Sequence, residues 1–170
     1  MQTVWTIAVE VFGAFVAIYA FSFLLETPKK YVLRAAIVGA LGALAYLVGV
    51  ETGLGAVLSS FISALLVALL SHTFARIFKA PVTLFLVAGI LPTVPGTGMY
   101  QTVHFIIEGD QQMMSYYFTQ TLEIAGVIAL AIFIVDTVFG LSKKGDWKQN
   151  SLKYVRIVKE KVKDPLEVEK

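Results

Sequence analysis

Five long apolar blocks, separated by short charged knots, constrain this chain more than any other feature of its sequence. An apolar block of about 20 residues matches the ~30 Å hydrocarbon core of a bilayer at helical rise. The blocks fall at residues 3–25, 35–51, 54–75, 82–107 and 113–140, the second being the shortest. Hydrophobic residues make up 57% of the chain, only 15% are charged, and the mean hydropathy is +0.75, a balance that a soluble domain could not keep in water without aggregating. The sequence therefore predicts an all-α integral membrane protein of about five transmembrane helices, the fourth interrupted by a Pro/Gly break. Its transmembrane domain covers 1–142 and a basic tail covers 143–170.

No positive n-region precedes the first block, and the block is too long for a signal-peptide core, so it is expected to remain as an anchor. Cysteine is absent, which removes disulfides, thiol nucleophiles and thiolate metal sites.

Lysine and arginine predict the orientation. With the N-terminus outside, Lys29, Lys30 and Arg34 fall in one cytoplasmic loop, Arg76 and Lys79 in the next, and the remaining nine of the 14 basic residues after residue 142. The opposite side carries Glu51, Glu108 and Asp110 and no basic side chain. The positive charge is thus a matter of topology and does not point to nucleic acid. In the tail, Leu152, Val155, Val158 and Val162 recur at roughly helical spacing among Lys153, Arg156, Lys159 and Lys163. That pattern suits either a solvated juxtamembrane segment ended by Asp164-Pro165 or a helix lying on anionic lipid.

Small residues four apart mark faces where helices approach closely in lipid. Gly39 and Ala43 form one such face; Ser60, Ala64 and Ala68, flanked by Ser59 and Ser63, form another. They suit helices of this chain, of a second copy or of a partner. Carboxylates within spans are costly, at least ~2.5 kcal/mol at a helix centre. Glu10 shares a helical face with Gly13, Ala14 and Ala17, and Glu123 shares one with Gly126. Asp136 lies seven residues before Lys143, within reach of the cytoplasmic interface. All three are ion-coupling candidates, each balanced by a reading as a structural or interfacial acid. His72 and His104 fall near opposite membrane faces without metal-ligand spacing, and no catalytic motif, cofactor fingerprint or metal site is recognisable.

The run GILPTVPGTGMYQTV, residues 89–103, breaks the fourth block. Proline removes a backbone donor and glycine admits dihedrals that other residues avoid, so Pro92 to Gly98 are expected to interrupt the helix for about two turns. Freed backbone groups cannot face lipid and must meet protein or a polar cavity. Transporters use such breaks to hold substrates: a half-helix starting near Met99 would turn its positive end to an anion, and free carbonyls would take a cation. Pro92, Thr93, Pro95, Gly96, Thr97, Gly98, Tyr100 and Gln101 are the substrate-pathway candidates. The competing reading is a kinked structural helix satisfied by its neighbours.

The run LPTVPGTGMY, as P-x-x-P-G with a tyrosine four residues after the glycine, resembles the signature of the smaller half of the threonine/serine exporter family, a half sometimes encoded as a separate short membrane protein. The order of features agrees: an early span, the basic loop TPKKYVLRAAIVGALG, a serine-rich third span, the basic link ARIFKAP, the break and a last span. The likeness covers roughly residues 5–142, and the family motif carries over onto Pro92, Pro95, Gly96 and Tyr100 alone. It implies a multi-pass protein of the bacterial cytoplasmic membrane that exports threonine and serine, or a dicarboxylate such as succinate, together with a larger partner half. The tail beyond residue 142 looks longer than the family pattern. Two rival readings are a non-transporting scaffold subunit that assembles a partner and a channel, the latter disfavoured because no selectivity motif is visible.

Overall fold

A computed structural model describes the backbone of residues 2–163 and the side chains of residues 5–141. Its helices are α1 (Gln2–Leu24), α2 (Lys29–Glu51), α3 (Gly55–Phe78), α4 (Thr83–Ile90), α5 (Gly96–Glu108) and α6 (Gln111–Lys163), with a 3₁₀ turn at Leu91–Thr93 between α4 and α5. No strand occurs among the described residues. Four helices are long and apolar enough to cross a membrane, and the pair Thr83–Thr93 and Gly96–Glu108, bent by 49°, adds a fifth when read as one broken span. The protein is an all-α, multi-pass membrane protein with a broken fourth span.

The contacts divide the chain into Met1–Val135 and Asp136–Lys170. In the second unit the described backbone is helical to Lys163. The side chains of Leu152, Val155, Val158 and Val162, and Asp164-Pro165 altogether, lie outside the described residues.

In the first unit α2 packs against α1, α3 and α4. Small residues let the backbones meet. A Cβ on Gly89 of α4 would sit 2.9 Å from both Val38 of α2 and Val67 of α3, and one on Gly39 would overlap Ile18 of α1. Ser63 of α3 donates to the Gly42 carbonyl of α2 at 2.7 Å. Such interhelical bonds average only ~0.6 kcal/mol in membranes, so close packing carries most of the association. Ala43, Ser59, Ser60, Ala64 and Ala68 are all buried on these faces. A second cluster joins α3 to α6 through Ala64, Ile124, Ile128 and Ala131.

Two sequence expectations need correction. The second span is not short: α2 starts at Lys29, so Lys29, Lys30 and Arg34 belong to its first turns rather than to a loop. Pro28 takes the N-cap. Arg34 lies 3.6 Å over the Phe78 ring at the end of α3, and Tyr31 donates to the Phe78 carbonyl at 3.3 Å. The break is also shorter than two turns, because α5 starts at Gly96 rather than near Met99.

Candidate functional site

The break is built from two prolines placed where a helix can begin but not continue. Pro92 is the second residue of the 3₁₀ turn, whose Thr93 hydroxyl donates to the Ile90 carbonyl at 2.7 Å. Val94 is extended, Pro95 follows at φ −76° and ψ 54°, and the Gly96 amide donates back to the Val94 carbonyl at 2.7 Å. The Met99 amide then bonds the Pro95 carbonyl at 3.1 Å. A helix's first amides need no intrahelical acceptor, so α5 restarts directly after Pro95 without losing a bond.

Beside the break lies a cavity of about 400 Å³. Pro92, Thr93, Val94 and Pro95 form one wall, Thr97, Gly98 and Gln101 of α5 another. Tyr46 of α2, Ala56 and Ser60 of α3, and Tyr117, Gln120, Thr121 and Ile124 of α6 complete it. None of these lining residues is charged; hydroxyls and two carboxamides supply the polarity.

The hydroxyls are polarised. Ser60 donates to the Ala56 carbonyl at 2.8 Å, as Thr93 does to Ile90, so both present oxygen lone pairs as acceptors. The start of α5, at Thr97 and Gly98, presents amide donors and the positive end of the helix dipole. Thr121 Oγ1 is buried and has no hydrogen-bond partner among the described residues. Gly98 lets α5 come this close, since a Cβ there would overlap Thr121 Oγ1.

Six of the eight substrate-pathway candidates line this cavity: Pro92, Thr93, Pro95, Thr97, Gly98 and Gln101. Gly96 and Tyr100 do not, and a Cβ on Gly96 would meet nothing within 4 Å. Tyr100 is 67% exposed and stacks on His104, ring centroids 6.0 Å apart and 7° from parallel. His104 Nε2 lies 3.3 Å from Glu108 Oε1 one turn further on.

None of the three carboxylate candidates lines the cavity. Glu10 is exposed on α1, and the face it shares with Gly13 and Ala17 is not covered by the described residues. Glu123 and Gly126 are exposed on α6, and Asp136 belongs to the second unit. Sequence reasoning treated Ser60 as a packing residue and passed over Tyr46, Tyr117, Gln120 and Thr121. A signal existed on α6: Tyr117, Gln120, Thr121 and Ile124 are spaced i, i+3, i+4 and i+7, one helical face.

The profile of the family described as Threonine/Serine exporter, ThrE, matches residues 10–138, a stretch that includes the break and every lining residue of the cavity. No solved structure matches the chain. The chain belongs to the threonine/serine exporter family.

Proposed function

We propose that this exporter-family member carries serine and threonine out of the cell as one half of a two-part transporter, holding the amino acid in the cavity beside the broken helix. The uncharged, hydroxyl- and amide-lined cavity is the observation that carries this reading. A serine or threonine zwitterion has no net charge and needs donors for its carboxylate, acceptors for its ammonium and a partner for its side-chain hydroxyl. The start of α5 supplies the first, Ser60 and Thr93 the second, and Thr121 the third. A dicarboxylate would bring two negative charges to a lining without a cation, and desolvating unpaired charge is costly. Amino acids are therefore favoured over succinate.

The proposed location is a bacterial cytoplasmic membrane, N-terminus outside. Its support is that a five-span reading with the N-terminus outside puts all 14 basic residues on one side. The larger partner half is proposed to cover the face of α1 bearing Glu10, Gly13 and Ala17, because a carboxylate turned to lipid would cost at least ~2.5 kcal/mol at a helix centre.

Efflux of labelled serine and threonine from cells expressing this chain, its larger half or both tests the reading. Efflux with both chains and with neither alone is expected. A stable complex of the two that moves neither amino acid would favour the scaffold reading instead.

A further inference from the structure

Helix α5 is polar along one face and apolar along the other, which is unusual for half of a membrane span. Thr97, Tyr100, Gln101, His104 and Glu108 follow the spacing i, i+3, i+4, i+7 and i+11, one continuous stripe. Met99, Val103 and Ile106 occupy the other side, 55 to 59% exposed, while Ile107, seven residues after Tyr100, borders the stripe. The stripe starts in the cavity, which Thr97 and Gln101 line. It continues through the stacked Tyr100 and His104 rings and ends on the His104–Glu108 pair. At 1.5 Å per residue it is roughly 16 Å long, about half of the ~30 Å apolar core. Its far end is the membrane surface that carries Glu51, Glu108 and Asp110 and no basic side chain.

We propose that this stripe is the water-filled outer wall of the translocation path, leading from the cavity to the exterior, while Met99, Val103 and Ile106 face lipid. The inference rests on the export reading, to which it adds the route and its direction. Stacked Tyr100 and His104 and the carboxylate of Glu108 beside His104 would each lose hydration against lipid, whereas along an aqueous path they keep it. An exported zwitterion leaving the start of α5 would then meet hydroxyl, imidazole and carboxylate groups in turn.

The chain's lack of cysteine makes the test clean. Single substitutions Tyr100→Cys, His104→Cys, Val103→Cys and Ile106→Cys are expressed with the larger half in intact bacterial cells, and membrane levels are matched by immunoblot. The cells are treated with a membrane-impermeant cationic methanethiosulfonate. The thiolate is the reactive form and needs water, so His104→Cys is expected to react on the order of tenfold faster than Val103→Cys and Ile106→Cys, with Tyr100→Cys also faster than either. Equal rates at positions 103 and 104, or none at 100 and 104, would overturn the path. Efflux by the unsubstituted pair in the same cells separates the two ideas. Efflux without labelling at 104 rejects the path alone, and labelling at 104 without efflux rejects the export reading alone.

Discussion

Gly98 of α5 and Thr121 of α6 approach so closely that any side chain at position 98 would collide with the Thr121 hydroxyl. Both residues line the cavity, so the start of α5 meets the polar face of α6 there. Gly98→Ala is expected to displace α5 and cut efflux several-fold, overpacking of this kind costing about 1–3 kcal/mol. Thr121→Ala in the same chain removes the obstructing oxygen. The melting temperature of the double variant in detergent should recover above that of Gly98→Ala, and failure to recover would mean that the two positions act independently.

Thr121→Val keeps the volume of the side chain and deletes its hydroxyl. If that hydroxyl meets the substrate, the apparent KM for threonine should rise by about 5- to 150-fold, matching the ~1–3 kcal/mol of a buried hydrogen bond. An unchanged KM would place Thr121 outside the binding site.

Glycines 89 and 96 are expected to behave oppositely. A Cβ on Gly89 would lie 2.9 Å from Val38 and Val67, so Gly89→Ala should destabilise the α2–α3–α4 packing by about 1–3 kcal/mol, seen as a lower melting temperature in detergent. Gly96 has open space around it, and Gly96→Ala should leave that temperature unchanged.

Asp110 caps α6, its Oδ1 accepting the Gln112 and Met113 amides at 3.0 Å each. Gly109, at φ +80°, turns the chain just before it. Asp110→Ala is expected to cost about 0.5–2 kcal/mol, and Asp110→Asn or Asp110→Ser much less, by thermal unfolding in detergent.

What the sequence made legible follows from which physical forces are local. Span count and the broken fourth helix follow from hydropathy and from proline chemistry at Pro92 and Pro95, both properties of consecutive residues. Where α2 begins was harder to read, because Lys29, Lys30 and Arg34 look like a loop by charge yet are good helix formers. The length of the break was overestimated for a related reason: Gly96, Thr97 and Gly98 read as helix breakers, but at a helix start their amides have no bonds to lose. Tyr46, Ser60, Gln120 and Thr121 were invisible as a set because neutral polar residues scarcely lower the hydropathy of a span. Only the packing of α2, α3 and α6 around the break assembles them.

The most direct test of the central claim compares efflux of labelled threonine and succinate from the same cells, carrying both halves of the transporter, with this chain either unsubstituted or bearing Gly98→Leu at matched membrane levels. The account predicts that threonine leaves the unsubstituted cells faster than succinate, and that the variant loses this efflux because the leucine fills the cavity. Succinate leaving faster than threonine, or threonine efflux untouched by the leucine, would contradict an uncharged amino-acid site at the broken helix.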